Sequence, residues 1–477
     1  MKTKIIYKSC ILVLILLSVV RCKAPDYAAK TVNKNVPETF TAAAKDTITV
    51  ARLNWRTYFA DPNLVALIDT ALKNNQELNI LLMEIEISKN EVKARKGEYL
   101  PFVHVQAEAG LEKPARYTPG GAVEESLEIK PGTSFPEPLH RYGFGLSASW
   151  ELDVWKKLRN AKKAAFNRYL GSVEGRNFMI TNLVAEIADS YYELMALDNL
   201  LAIVQQNIAI QTNALTVVRQ QKDAAKQTQL AVNRFEAQLL NTQNLQYEIQ
   251  QRIVETENRI HFLTGSFPKA IPRNSAQYLS LKIDSVQAGI PIQLLVNRPD
   301  IRQAELELAA ARLDVQAARA NFYPSLGLEA AVGYAAFKPT YLIKPESVLY
   351  TLAGGLVAPL INRNAIYAAY NTANAKQLQQ VFQYERTLLT AYLEVRNELA
   401  KLQNYAGSYD AKSREVEILT QSITISNNLF MSARADYLEV LLTQREALES
   451  KMELIEIKKK QLAARIGIYR TLGGGWK

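Results

Sequence analysis

Few side chains in this 477-residue sequence are placed for chemistry. His104, His140 and His261 are its only histidines, and no two stand at metal-ligand spacing. Glu186 and Asp189 sit at helical spacing. They read as a solvated or channel-lining helix face, not an acid/base pair. No glycine-rich phosphate loop occurs. The sequence therefore predicts no enzyme, no cofactor and no metal. Its cysteines are Cys10 and Cys22. Lys2, Lys4 and Lys8 precede the short apolar run Ile11–Val20, so Met1–Arg21 reads as a cleaved signal peptide. Cleavage before Cys22 leaves one cysteine and no internal disulfide, and makes Cys22 the acylated first residue of a bacterial lipoprotein. Arg21 stands where a small residue is usual, and free Cys22 after cleavage nearby is the alternative.

The elements that surround these residues are long. Gly and Pro number 20 and 17 and fall in clusters, which leaves extended helical runs between them. Net charge is +10, but Lys and Arg alternate with Glu and Asp along those runs. That is a salt-bridged helix face, without the aromatic-interleaved basic cluster of a nucleic-acid site. After the signal peptide no stretch is apolar enough for a membrane-spanning helix, so membrane contact falls to strands or lipid.

One stretch occurs twice. Asn297–Gly333 is an Ala-rich helix stopped at Tyr323-Pro324, followed by Leu326, Leu328, Ala330 and Val332 alternating as a strand. Asn74–Gly110 lies over it at a shift of 223, with Pro101 matching Pro324. The predicted order is a tether to residue 50, then helix 63–98, strand 101–111, loop 112–139, strand 142–152, helix 156–222 and helix 227–262. An irregular linker follows. The second copy has helix 294–322, strand 325–337, loop 338–346, strand 348–359, helix 365–431 and helix 436–470. Domains accordingly divide at 22–50, 51–265 (first repeat), 266–293 (linker) and 294–477 (second repeat).

A helix of roughly 67 residues is about 100 Å long. Four strands of transmembrane length cannot close a barrel, for which about eight is the minimum. Unpaired edges are not tolerated in lipid, so strands must be pooled among copies of the chain. Two copies give a filled barrel and three leave room for a passage. The expected fold is mainly α with a membrane β-barrel shared between chains. Plain hairpins in a soluble coiled-coil protein are the alternative.

Tyr58–Leu78, Ser149–Trp155, Asn297–Leu328, Ala358–Ile361 and Tyr469–Trp476, in this order, resemble the TolC-like outer-membrane efflux proteins, in the lipoprotein branch serving RND-type pumps. The resemblance implies a homotrimer in the bacterial outer membrane, with a twelve-stranded barrel and a periplasmic α-barrel. It implies docking to a periplasmic adaptor and an inner-membrane RND-type pump. Its helix-to-helix turns map to Arg219–Gln229 and Leu429–Leu438, where Arg219, Lys222, Lys226, Arg434 and Asp436 are the adaptor candidates. Asp436 is also placed to cap the last helix. Where the family has glycine in each turn, this chain has Ala225 and Ala433, so a tighter or more helical turn is expected. Leu441 and Leu442 are the aperture candidates; Leu442 replaces an acidic residue of the family's constriction, which implies an apolar aperture gated by dewetting. The function so implied is a passive efflux duct. A duct for protein secretion and a lipid-anchored tether without a pore are the alternatives.

Overall fold

The computed structural model describes residues 30–40, 49–283, 287–432 and 434–476. The signal peptide, Cys22 and Ala433 lie outside them. In chain order the helices and strands are α1 (Trp55–Phe59), α2 (Pro62–Asn74), α3 (Gln76–Glu98), β1 (Phe102–Glu112), α4 (Pro119–Ser126), β2 (Glu128–Lys130), β3 (Thr133–Ser134), β4 (Leu139–Leu152), α5 (Lys157–Asp223), α6 (Gln229–Thr264), α7 (Leu294–Asn297), α8 (Pro299–Ala320), β5 (Ser325–Ala336), β6 (Val348–Val357), α9 (Asn364–Met431) and α10 (Tyr437–Thr471). They form two compact units. A sheet unit holds Glu86–Leu170 and Leu306–Phe382, and a helical unit holds Val32–Ile85, Gly171–Glu305 and Gln383–Lys477.

In the sheet unit four strands pair antiparallel in the order β1-β4-β5-β6. Pro101 and Pro324 stand between helix and strand in the two copies. β4 starts at Leu139, earlier than its alternation suggests, because Leu139, His140 and Arg141 pair with Glu112, Leu111 and Gly110. The Ser149–Trp155 motif turns that strand into α5. Asp153 is buried, and its carboxylate accepts from the Leu158 and Arg159 amides, both at 2.9 Å. Two of the orphan donors at the start of the 67-residue helix are thereby satisfied. Trp155 Nε1 donates to the Pro324 carbonyl at 2.7 Å, and its ring stacks on Tyr323.

In the helical unit Asp61 caps α2, accepting from the Asn63 amide at 2.9 Å, with Pro62 in the first turn. Its other oxygen accepts from the Tyr191 hydroxyl of α5 at 3.0 Å. Leu64, Ile68 and Ala71 of α2 are fully buried with Leu183, Ile187 and Tyr191. Tyr58 stacks on Tyr469 with centroids 4.2 Å apart, which ties α1 to α10.

Three expectations need correction. First, helix 63–98 is two helices broken at Asn75, and helix 294–322 is two broken at Arg298, the position equivalent to Asn75 at a shift of 223. Pro299 forces Arg298 into extended backbone (φ −85, ψ 117). Asn75 leaves the helix because its buried amide makes other bonds: Oδ1 accepts from the Leu78 amide and Nδ2 donates to the Leu263 carbonyl, both at 2.9 Å. Second, stretch 112–139 is not a plain loop. Thr118 and Pro119 start α4, and Gly132 at φ +75 turns β2 into β3. Third, the described tether residues are extended but docked. Phe40 is buried and stacks on Tyr392, and the Asn33 amide donates to Glu385 at 3.0 Å.

Candidate functional site

Chemistry here is a matter of surfaces, beginning with the two faces of the sheet. Register places Val103, Val105, Ala107 and Ala109 of β1 beside Ala148, Leu146, Phe144 and Tyr142 of β4. Leu326, Leu328, Ala330, Val332 and Tyr334 of β5 continue that face, followed by Leu356, Leu352, Tyr350 and Val348 of β6. Apart from His140, which pairs with Leu111 at the loop end and stacks on Tyr142, the face is apolar. The opposite face carries His104, Gln106, Glu108, Ser147, Ser149, Glu151, Glu329 and Thr351 among glycines, with Phe102, Leu349 and Val357 among its large apolar residues. Gly145 and Gly333 are directly paired there, and a Cβ on either would lie 2.5 Å from a carbonyl oxygen of the neighbouring strand. The two faces thus differ in kind, as they do in a membrane barrel with lipid outside and water inside.

Both outer strands are bare. Every residue of β1 and β6 is exposed, with Val105 at 82% and Leu352 at 80%. Among the described residues each strand has a neighbour on one edge only, so its other edge presents unpaired N–H and C=O groups. Two long apolar edge strands of this kind are a pairing template. Among the described residues, no helix is long and apolar enough to cross a membrane.

In the helical unit the first helix-to-helix turn differs from the sequence expectation, and Ala433 of the second lies outside the described residues. Ala225 is not more helical than glycine would be: it adopts φ +55, the left-handed conformation itself. The Lys226 amide donates to the Gln221 carbonyl (2.8 Å) and the Ala225 amide to that of Lys222 (2.9 Å), which is a Schellman ending. Alanine therefore occupies a glycine geometry with a strain of about 1 kcal/mol. The second turn has the same long bond, from the Arg434 amide to the Leu429 carbonyl at 2.8 Å.

The candidate turn residues separate into three kinds. Arg219 is ion-paired to Glu236 of the returning helix at 3.2 Å. Lys222, Lys226 and Arg434 are exposed. Asp436 stands at the cap position of α10, but its side chain makes no capping hydrogen bond there; Thr228 does cap α6, accepting from Ala231 at 3.2 Å. Leu441 and Leu442 point to different surroundings. Leu441 is buried with Leu215, Val218, Val232 and Phe235, so it belongs to the core of its own chain and does not offer an aperture surface. Leu442 is exposed.

The remaining titratable candidates are structural. The His261 ring is buried; its Nε2 accepts from the Lys269 amide at 3.1 Å and its Nδ1 meets Ser266 Oγ at 3.2 Å. Glu186 pairs with Arg259 at 2.5 Å. Desolvation of the carboxyl, with smaller contributions from Glu398, Glu193 and Glu186 and opposition from Arg470, pushes Asp189 up to about 7, although the residue as a whole is exposed. No group of three His, Cys, Asp or Glu suited to a metal ion occurs among the described residues.

Nothing in the sequence marks Arg298 for a role of its own. Its guanidinium is buried, pairing with Asp300 at 2.6 Å and Glu394 at 2.8 Å and donating to the Thr471 carbonyl at 3.0 Å. It locks the start of α8 to α9 and to the end of α10. The Asn-Arg-Pro-Asp block is a clamp. Only Pro299 marks it locally, since Glu394 and Thr471 are remote in sequence.

Comparison with known proteins gives one consistent result. The model of the family described as outer membrane efflux protein matches residues 67–266 and 290–474. The solvent efflux pump outer membrane protein SrpC of Pseudomonas putida is 28% identical over 421 residues, 88% of this chain and 87% of that protein. The cation efflux system protein CusC of Escherichia coli is 25% identical over 458 residues, 95% of each chain. The open state of the MtrE outer membrane channel of Neisseria gonorrhoeae superposes with a TM-score of 0.81 at 23% identity, covering 95% of this chain and 98% of that one.

Proposed function

The chain belongs to the outer membrane efflux protein family, and on that premise we propose that three copies build a passive duct which exports small molecules through the outer membrane. The observation that carries the reading is the four-stranded sheet with one apolar face, one polar face and two bare edge strands. Within hydrocarbon such edges must be paired. Edge-to-edge joining of three sheets gives twelve strands, with the apolar faces outward and the Glu108, Ser147 and Thr351 faces lining water. The helices α5 and α9, of 67 and 68 residues, supply a periplasmic tube of about 100 Å.

The duct does no work itself and catalyses no reaction. Its energy comes from an inner-membrane RND-type pump through a periplasmic adaptor, which meets the helix-to-helix turns at Lys222, Lys226, Arg434 and Asp436. These residues are free for that contact because they are exposed. Arg219 instead holds the turn together through Glu236. Cys22 is acylated and anchors the mature chain to the inner leaflet of the outer membrane. Leu442 forms the apolar constriction. Relatives named for solvent and for cation efflux mark the class of cargo as small molecules.

Conductance across a planar bilayer tests the duct against a poreless tether. The purified full-length protein is expected to give stepwise single-channel currents, and silent membranes would refute it. A deletion strain is expected to become sensitive to solvents, dyes or metal ions while its secreted proteins are unchanged. The reverse pattern would assign the duct to protein secretion.

A further inference from the structure

The loops joining β1 to β4 and β5 to β6 lie at one end of the sheet, opposite the ends that continue into helices. They carry three lysines gathered on two touching aromatic rings. Lys130 donates from Nζ to the Tyr341 hydroxyl at 2.7 Å and lies 4.9 Å from that ring's centroid. Lys344 Nζ also lies 4.9 Å from the Tyr341 centroid. Lys338 Nζ lies 6.0 Å from the centroid of Phe337, whose ring meets Tyr341 edge-on at 5.3 Å. All three lysines are exposed. Their neighbours in charge are already neutralised: Lys113 pairs with Glu137, Arg116 with Glu125 and Arg141 with Glu112. Among the described residues, no carboxylate pairs with Lys130, Lys338 or Lys344.

The cluster is held in place by its backbone. Pro339 and Pro345 each open a short 3-10 turn. The Tyr341 carbonyl accepts from the Lys344 amide at 3.0 Å and from Ser347 Oγ at 2.7 Å. The Lys130 hydrogen bond, then the charges of Lys130, Lys338 and Lys344, hold the Tyr341 hydroxyl below its ordinary pKa. Three ammonium groups so fixed repel one another, and an anion with several acceptor oxygens relieves that repulsion. Ile343, between Tyr341 and Lys344 in the chain, is 80% exposed. An apolar side chain beside uncompensated ammonium groups suits a boundary between acyl chains and headgroups more than open water.

We propose that Lys130, Lys338 and Lys344, arranged around Tyr341, form a binding site for the phosphate groups of an outer-leaflet lipid headgroup. The site rests on the reading of the sheet as one part of a membrane barrel, which places these loops at the outer surface. It would seat the duct at a fixed height in the leaflet by contacts separate from the strands.

The test uses the full-length protein in phosphatidylcholine nanodiscs, titrated with phosphorylated lipid A, dephosphorylated lipid A and inorganic phosphate. Each lysine beside an anionic lipid surface contributes a factor of about five, so the triple variant Lys130→Gln, Lys338→Gln, Lys344→Gln should bind phosphorylated lipid A about 100-fold more weakly. The triple Lys→Arg variant keeps the charge and should stay within about threefold of wild type. Dephosphorylated lipid should bind wild type as weakly as phosphorylated lipid binds the Gln variant. Unchanged binding by the Gln variant, or undiminished binding of dephosphorylated lipid, overturns the site. Inorganic phosphate binding as tightly as the lipid also overturns it in favour of a free-anion site. The same preparations are tested for conductance. Conducting channels with unaffected lipid binding sink only the headgroup site, whereas absence of conductance in wild type sinks the barrel on which it rests.

Discussion

Gly473 lies beneath the carbonyl of Asn297, and a Cβ on it would come within 2.5 Å of that oxygen. Its φ of +85 is also left-handed. The first repeat makes the same contact: Gly265, at φ +60, would place a Cβ 2.4 Å from the carbonyl of Asn74. In each copy the end of the returning helix closes onto the residue just before the break in the first helix. Only glycine permits both the backbone angle and the approach. Substitution by alanine meets left-handed strain and overpacking together, so Gly473→Ala and Gly265→Ala should each destabilise by about 2–4 kcal/mol. Thermal unfolding of the detergent-purified protein by circular dichroism checks this. An unchanged midpoint would show that these closures do not bear on stability.

The Arg298 clamp makes a second prediction. Removing the guanidinium leaves Asp300 largely buried and unpaired, while Glu394, 40% exposed, regains water. Arg298→Met should cost about 3–5 kcal/mol, and adding Asp300→Asn should recover a large part of it. Arg298→Lys should fall between, since an ammonium cannot reproduce the forked contact with Asp300. Additive losses in the double variant would argue against the pair.

Ala225 carries strain in the first helix turn that glycine would not. Ala225→Gly should therefore stabilise by up to about 0.5 kcal/mol, the left-handed penalty less the extra chain entropy of glycine. A loss of stability would mean that the turn does not hold Ala225 left-handed in solution.

Leu442 is the exposed member of the pair proposed for the constriction, and Leu441 is part of the core. Leu442→Ala and Leu442→Asp should both raise single-channel conductance, the second more, because a wider or charged ring wets readily. Leu441→Asp should instead destabilise the turn region by placing a carboxylate beside Val232 and Phe235. Conductance equal to wild type in both Leu442 variants would remove the apolar gate.

Much of this fold is legible in the sequence because its signals are local. Alternation marks the strands, and the proline at 101 or 324 marks each passage from helix to strand. The break at Asn75 has no such mark, since it depends on the Leu263 carbonyl, 188 residues away. The break at Arg298 was announced by Pro299 but hidden in an Ala-rich helical run. Surface assignments were less legible. Adjacent leucines at 441 and 442 cannot be told apart until three helices are packed. Ala225 illustrates the limit of residue type alone, because the contacts of the Schellman ending hold alanine where its own preference would not. The lysines around Tyr341 are unremarked in sequence because they come from two separate loops.

On the proposed reading one chain cannot satisfy its own sheet in lipid, and three copies complete it. The most direct measurement is the mass of the protein component of the detergent-extracted, full-length assembly by light scattering with the detergent contribution subtracted. Three mature chains per particle is the expected result. A single chain per particle, with β1 and β6 unpartnered, would contradict it.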